Sequence, residues 1–271
     1  MKNFKRVAAI VAVILLLVVF CLPMVFATGS GENSQALFRA ALGAAIVVPV
    51  LAYIFWMVYR IFGKKQKKEE RDIENIIFDV GQVLVKYDGE AFLKQFDFPK
   101  EKYERIADAT FRSEIWNERD RGVLTEEEYI SQMIALAPEY EEDIREVMRR
   151  TPETITSVDY ALTWVKYLKN QGYHLYILSN YSNYMMERNR PEMEFLKYMD
   201  GVIFSCQVGA IKPEPEIYRI LLDRYHLKPG KCVFLDDRAE NCEGARKMGI
   251  RAICFKNFKQ AAKELEKLGV K

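Results

Sequence analysis

The side chains of this 271-residue chain that are placed to do chemistry are mainly carboxylates. Asp79 follows the apolar run Ile76–Phe78, and the adjacent Asp236 and Asp237 follow the apolar run 233–235. Two neighbouring carboxylates at the end of an apolar strand repel each other unless a cation is bound there. A single aspartate in such a place also caps ordinary turns, so Asp79 by itself indicates little.

Two further segments place hydrogen-bond donors and a positive charge in similar positions. Ser179 and Asn180 follow the run His174–Leu178, where a hydroxyl and an amide can donate to a phosphate, although Ser-Asn also forms ordinary turns. Lys212 precedes a helix expected to begin with a proline, which fixes the lysine near that N-terminus. Phosphoryl transfer requires an oxygen nucleophile, Mg²⁺, and positive charge for the phosphoryl oxygens. Together these residues predict that chemistry.

The composition argues against several other functions. The chain has two histidines, and its five cysteines show no CxxC pair and no spacing to histidine that suits zinc. The chain therefore has almost no histidines for a Ser-His-Asp or multi-histidine metal mechanism. The cysteines are interpreted as structural. The formal net charge of +2 gives no reason to expect nucleic acid as a partner.

The elements that must position these residues form an alternating pattern. Short β-branched or apolar runs are separated by helical patterns, which predicts an α/β fold with a parallel sheet covered by helices on both faces. Sites in such sheets form just past the carboxyl ends of the strands, where the polar residues described above lie. The predicted strands are Ile76–Phe78, His174–Leu178, Val202–Phe204, Cys232–Leu235 and Arg251–Phe255.

A long insertion, roughly 88–156, separates the first two predicted strands and shows helical periodicity without a strand signal. Thr125 and Glu128 form a capping box that predicts the start of a helix with Ile130, Met133, Ile134 and Ala137 on one side. An all-helical insertion directly after the first strand is expected to cover the site as a cap.

The order Asp79, Ser179, Lys212, Asp236-Asp237 resembles the four motifs of the haloacid dehalogenase (HAD) superfamily, over roughly residues 73–260. The strings that carry the resemblance are FDVGQVLV, LSN, GAIKPEPEIY and FLDDRAENCEGARKMGI. It implies an HAD-like core of subfamily I, with the insertion in the position of the family's C1 cap. FDVGQVLV further resembles the branch that includes bacterial α-glucose-1-phosphate phosphatases.

The resemblance also implies roles for individual residues. Asp79 would attack phosphorus and form an aspartyl-phosphate. Ser179 and Asn180 would bind the phosphoryl oxygens, and Lys212 would stabilise the charge on the nucleophile and the phosphate. Asp236 would bind Mg²⁺ alongside Asp79. Asp237 would contact the same cation directly or through its surrounding ligands, and the backbone carbonyl of Gly81 would complete the metal site.

Gly81 departs from the pattern of this superfamily, whose phosphatases usually carry a second aspartate there as general acid and then general base. Such assistance is typically worth about 10²–10⁴-fold in rate. A sugar 1-phosphate leaves as a hemiacetal oxygen, a better leaving group than a simple alkoxide, so the glycine is chemically tolerable. We expect a Mg²⁺-dependent phosphatase that acts on a small phosphorylated metabolite, such as a sugar phosphate.

Other functions remain to be compared with this expectation. A dehalogenase would use the same aspartate without a metal, which the paired Asp236-Asp237 opposes. A phosphonatase would need a cap lysine, and nothing singles out Lys94, Lys100 or Lys102. A phosphomutase would normally keep the acid–base aspartate. A decayed phosphatase domain that serves as a membrane-tethered binding module stays open, with Gly81 as its only support.

The segment 116–122 of the insertion resembles an ERG-type segment in caps of this branch. An arginine or tryptophan there could touch substrate. An exposed turn that joins two cap helices explains the segment at least as well. These residues are therefore not included among the candidate site residues.

Residues 1–63 are mostly apolar and predict a transmembrane hairpin. The runs 7–27 and 40–59 carry no charge, and about 20 apolar residues cross a hydrocarbon core of about 30 Å. Basic residues flank the pair on both outer sides, which predicts a cytoplasmic location for both ends. In the alternative interpretation, the first run is a signal peptide cleaved after Ala27.

The expected organisation is therefore a two-span cell-membrane protein with the lipid bilayer as a partner. A charged linker, 64–72, would connect the hairpin to a cytoplasmic phosphatase domain, 73–271. The oligomeric state cannot be inferred from the sequence.

Overall fold

The computed structural model describes residues 33–62 and 72–271. The chain divides into two compact units, Met1–Glu70 and Arg71–Lys271. Residues 7–27, predicted as the first span, lie outside the described part, as does nearly all of the predicted linker 64–72.

The described part of the first unit contains helix α1 (Ser34–Phe62), which includes the second predicted span, 40–59, and has Pro49 in its interior. Within residues 33–62 and 72–271, no helix combines the length and the apolar character that a membrane crossing requires. The predicted cell-membrane localisation with two spans is therefore wrong. It was inferred from the lengths of two apolar runs and from the basic residues that flank them, and these features are not sufficient evidence for a spanning helix.

The second unit is built on a sheet of parallel strands in the order β5-β4-β1-β6-β7. Each predicted strand corresponds to one of these strands, so the predicted parallel sheet is confirmed. Its strands are β1 (Asn75–Phe78), β4 (His174–Ser179), β5 (Gly201–Phe204), β6 (Cys232–Asp236) and β7 (Arg251–Cys254).

The register of the central strand explains where the polar residues meet. Phe78 of β1 lies opposite Ile177 of β4 on one side and Leu235 of β6 on the other. Since all three strands run in the same direction, the residues that follow these positions emerge at the same edge of the sheet. The amide of Asp79 continues the ladder by donating to the carbonyl of Leu235 at 2.9 Å.

Alternate residues of β1 enter different cores, as the two-residue period of a strand requires. Ile76 and Phe78 pack in one core with Trp164, whereas Ile77 packs on the other face with Tyr218. The bounds of the helices after the insertion are α7 (Asp159–Asn170), α8 (Asn183–Arg188), α9 (Pro215–Arg224), α10 (Ala239–Lys247) and α11 (Phe258–Lys267). Helices α7 and α11 supply the first core, and α9 and α10 supply the second.

A pair of antiparallel strands borders the insertion, β2 (Val85–Tyr87) just before it and β3 (Ile155–Ser157) at its end. β3 was not predicted, because three residues are too few to establish an alternating pattern. Thr125 caps the helix that begins at Glu126, and its capping box is present. The helices between the strands have their own apolar core. Their bounds are α2 (Gly89–Lys94), α3 (Lys100–Ala109), α4 (Glu114–Arg119), α5 (Glu126–Leu136) and α6 (Glu141–Arg149).

Candidate active site

A cavity of about 270 Å³ lies beside the carboxyl ends of β1, β4 and β6. Among the residues predicted from the sequence, Asp79, Gly81, Asn180, Lys212 and Asp237 line this cavity. The other two, Ser179 and Asp236, are buried and form hydrogen bonds with residues of the lining. The fold therefore brings all seven residues together.

Asp79 is buried, and one of its carboxylate oxygens accepts three hydrogen bonds. Oδ1 accepts from the amide of Val80 at 2.8 Å, from Ser179 Oγ at 2.7 Å and from Lys212 Nζ at 2.8 Å. Burial raises the pKa of Asp79 from 3.8 to about 6; the charge of Lys212 opposes this rise and that of Asp236 adds to it. At pH 7 the carboxylate is mostly ionised and can act as a nucleophile.

Lys212 links the two buried carboxylates of the site. Its side chain is 1% exposed, and Nζ lies 2.8 Å from Asp79 Oδ1 and 2.6 Å from Asp236 Oδ2. Burial lowers the pKa of Lys212, but the charges of Asp236 and Asp79 outweigh burial, and the net shift is upward. Lys212 therefore stays protonated and supplies a fixed positive charge beside the candidate nucleophile.

Three carboxylates at this edge of the sheet can hold a metal ion. One oxygen each from Asp79, Asp236 and Asp237 lies within 4.8 Å of the other two. Burial, followed by the charge of Asp236, raises the pKa of Asp237. Among the described residues, Lys212 is the one cation that forms an ion pair with this cluster, so an excess of negative charge remains there. Carboxylate oxygens are the ligands that Mg²⁺ prefers, so the donor set fits the predicted cofactor.

Asn241 is a site residue that the sequence analysis did not identify. Its Nδ2 donates to both carboxylate oxygens of Asp236, at 3.0 and 3.1 Å, and the amide of Arg238 donates to one of them at 2.9 Å. These bonds hold Asp236 in one orientation. Asn241 lies within the quoted string FLDDRAENCEGARKMGI, but its residue type alone gave no reason to select it.

The side chain of Asn180 contacts the backbone of Lys212. Its Oδ1 accepts from the amide of Lys212 at 2.8 Å, and its Nδ2 donates to the carbonyl of the same residue at 3.0 Å. The side chain thus holds the backbone of Lys212 and positions that lysine. A contact between Asn180 and a phosphoryl oxygen stays a prediction.

Gly81 lines the cavity and leaves room beside it. A Cβ atom at this position would have no other atom within 4 Å. Packing therefore does not require glycine here, and an aspartate would fit. The predicted contact between the Gly81 carbonyl and a metal ion stays a prediction.

The inserted helices provide another part of the cavity lining, including Trp116, Asn117, Arg119 and Asp120. Arg119 is 1% exposed and pairs with Glu126, with Nε–Oε2 at 2.9 Å. From the sequence, an exposed turn explained this segment equally well, so its residues were not predicted to belong to the site. The burial of Arg119 beside the cavity could be known only from the fold.

Comparisons with known proteins agree with this architecture. A family model described as haloacid dehalogenase-like hydrolase matches residues 73–249. The chain is 26% identical over 208 residues to D-ribitol-5-phosphate phosphatase of Bacteroides thetaiotaomicron, covering 71% of this chain and 97% of that protein. It is 40% identical over 107 residues to bifunctional epoxide hydrolase 2 of Mus musculus, covering 37% of this chain and 19% of that protein. The chain thus matches only a minor part of the epoxide hydrolase.

A solved structure shares the fold. A HAD family enzyme from Bacteroides thetaiotaomicron, in complex with magnesium and inorganic phosphate, aligns with a TM-score of 0.56 at 22% identity. The alignment covers 68% of this chain and 94% of that one.

Proposed function

Because the chain belongs to the haloacid dehalogenase-like hydrolase family, we propose that it is a Mg²⁺-dependent phosphatase of small phosphorylated metabolites, acting through an aspartyl-phosphate on Asp79. The observation that carries this proposal is the surroundings of Asp79. Its buried carboxylate contacts Ser179 and Lys212 and forms part of a carboxylate cluster that fits a divalent cation.

In the first step, an oxygen of Asp79 attacks phosphorus and the bond to the ester oxygen breaks. The alcohol leaves, and the phosphoryl group stays on Asp79. In the second step, water attacks this phosphorus, which releases inorganic phosphate and restores the carboxylate. The cation, when bound, would be held by Asp79, Asp236, Asp237 and the Gly81 carbonyl, and would offset the charge of the phosphate.

The remaining site residues orient and stabilise these groups. The hydroxyl of Ser179 lies 2.7 Å from Asp79 Oδ1 and is close enough to reach a phosphoryl oxygen bonded to that carboxylate. Lys212 supplies positive charge where negative charge develops, without any rearrangement of solvent. Asn180 and Asn241 support Lys212 and Asp236 respectively, and Asn180 would also donate to the phosphate.

The substrate class follows from the size and walls of the cavity. A volume of about 270 Å³, bounded by both the sheet unit and the inserted helices, suits a small metabolite. We assign 73–271 as the phosphatase domain and 88–156 as its C1-type cap. The D-ribitol-5-phosphate phosphatase relative and the resemblance to the α-glucose-1-phosphate phosphatase branch both favour a sugar or polyol phosphate.

The proposal is tested by following phosphate release from a panel of sugar, polyol and nucleotide phosphates with the full chain. Wild type would be measured with Mg²⁺ and with EDTA, beside Asp79→Asn. Asp223→Asn is a matched control, because Asp223 is an exposed aspartate of α9 outside the cavity lining.

We expect release that requires both Mg²⁺ and Asp79 and is unchanged in the control. Release that continues in Asp79→Asn would contradict the proposed nucleophile. Absence of phosphate release across the panel would instead favour a phosphatase domain that has lost its activity and serves as a binding module.

A further inference from the structure

With glycine at position 81, the cavity needs another group to protonate the leaving oxygen. Asp79 and Asp237 belong to the carboxylate cluster that fits a divalent cation, and Lys212 is paired with two carboxylates, so none of the three is available as the acid. Burial is the main cause that raises the pKa values of the lining tyrosines, Tyr87 and Tyr181, so neither exchanges a proton readily near neutral pH. Asp120 is the remaining carboxylate of the lining.

The backbone of Asp120 is tied directly to the sheet unit. It follows the last residue of α4, and its carbonyl accepts a hydrogen bond from Ser205 Oγ, just past the end of β5. The same hydroxyl accepts from the amide of Tyr181 at 2.9 Å, two residues after the end of β4. The backbone of Asp120 is therefore held at the carboxyl ends of β4 and β5, and β4 is also the strand that leads to Ser179 and Asn180.

The neighbours of Asp120 fix this segment further. Arg121 pairs with Glu214, with Nη1–Oε2 at 2.8 Å and Nη2–Oε1 at 2.7 Å. Gly122 has φ +71° and lies so close to Cys206 that a Cβ would come within 2.8 Å of its backbone. Only glycine meets both demands, so this turn is built for close contact with the sheet unit.

The carboxylate of Asp120 is itself uncommitted. Among residues 33–62 and 72–271, no group forms a hydrogen bond or ion pair with this side chain, while both neighbouring arginines are paired. A carboxyl that lines a substrate cavity without a protein partner can exchange a proton with a bound molecule.

The charges that face Asp120 poise it for proton transfer near neutral pH. Burial raises its pKa to about 7 against the opposing charges of Arg119 and Lys212; Asp79 adds to the rise, and Arg238 lowers it. The other ionisable neighbours are Tyr87, Tyr181 and Cys206, whose pKa values the charge of Asp120 helps to raise. Both protonation states of Asp120 are therefore populated at pH 7.

We propose that Asp120 is the general acid–base of this site and supplies from the inserted helices the proton transfer that Gly81 cannot. As the ester bond breaks, its electron pair goes to the leaving oxygen, which takes the proton of the Asp120 carboxyl. The resulting carboxylate then takes a proton from the water that attacks the aspartyl-phosphate. Inorganic phosphate leaves, and Asp79 and Asp120 return to their starting states. The inference rests on the proposed phosphatase function.

The test compares Asp120→Asn with wild type on two leaving groups in Mg²⁺. The first substrate is the best alkyl phosphate of the panel; the second is p-nitrophenyl phosphate, whose leaving group needs little protonation. We expect kcat/KM to fall about 10²–10⁴-fold on the alkyl ester and less than about tenfold on the aryl ester. Asp97→Asn, an exposed aspartate of the insertion outside the cavity lining, should change neither value.

A second variant separates proton transfer from folding. Because a side chain at position 81 would meet open space, Gly81→Asp introduced into Asp120→Asn should recover activity on the alkyl ester. Equal losses on both esters, or no loss on the alkyl ester, would overturn the role of Asp120. If wild-type release required neither Mg²⁺ nor Asp79, the phosphatase proposal would fail, and the role of Asp120 would fail with it.

Discussion

Replacing the candidate nucleophile should make the metal-free protein more stable. Asp79 is buried with its pKa raised to about 6, so ionising it in the folded protein costs more than ionising it in the unfolded chain. Asparagine has almost the same shape, cannot ionise, and keeps an oxygen to accept the hydrogen bonds of Ser179 and Lys212. Asp79→Asn therefore removes the cost of the charge while leaving the packing in place.

The magnitude follows from the pKa of Asp79. A rise from 3.8 to about 6 corresponds to about 3 kcal/mol at pH 7, because a pKa difference of one is worth about 1.4 kcal/mol. Domains of this size change their melting temperature by about 2–4 °C for each kcal/mol. We expect the midpoint of Asp79→Asn to lie up to about 12 °C above that of wild type at pH 7 in EDTA.

The effect has a defined pH dependence. Between pH 3.8 and about 6 the folded state binds more protons than the unfolded state, so wild-type stability falls as pH rises through this window. Above it the cost is complete, and at pH 5 about half of it remains. The advantage of Asp79→Asn should therefore shrink at pH 5. Excess Mg²⁺ should also reduce it, because the cation stabilises the wild-type cluster more than the variant cluster.

The assay is thermal unfolding followed by circular dichroism at pH 7 and pH 5, with EDTA and with Mg²⁺, and with Asp223→Asn as the control. An Asp79→Asn midpoint at or below that of wild type in EDTA at pH 7 would contradict the proposed cost of ionising Asp79 in the folded protein. It would mean that the carboxylate is compensated in the folded protein rather than strained. An advantage that grew at pH 5 would refute the assigned direction of the pKa shift.

Three further outcomes are expected. Asn180→Ala should lower kcat about 10- to 100-fold in steady-state phosphate release, because two hydrogen bonds that hold Lys212 are lost; an unchanged kcat would show that Lys212 needs no such support. Arg121→Ala should lower the melting temperature by less than about 4 °C, since the partly exposed ion pair of Arg121 with Glu214 is worth about 1 kcal/mol or less. The same variant should lower kcat/KM on the alkyl ester more than on the aryl ester. In wild type, kcat/KM for the alkyl ester should fall as pH rises through about 7, because Asp120 must donate a proton. Asp120→Asn should not show this decrease. The same decrease in both proteins would contradict the role of Asp120 as the general acid.

The parallel sheet and most of the charged residues of the site could be predicted from the sequence. A chain in which short apolar runs alternate with helical patterns forms few compact folds other than one with a parallel sheet. The five strands could therefore be predicted from the local sequence pattern. In a parallel sheet the residues that follow the strands meet at one edge, which places Asp79, Lys212 and Asp236 together once the strands are recognised. The same local reasoning was wrong for the membrane localisation, because apolar runs and flanking basic residues do not by themselves establish a spanning helix.

The contacts of each polar group could be known only from the folded structure. Only the packing of Asn180 beside Lys212 shows that its side chain holds the backbone of that lysine, whereas its contact with a phosphate stays a prediction. Asn241 and Asp120 belong to the site because helices far along the chain fold onto the strand ends. Sequence patterns report which residues are apolar and at what spacing they recur. The burial of a polar side chain, the charges near it and its hydrogen-bond partners depend on contacts between segments distant in sequence. No local pattern encodes these contacts.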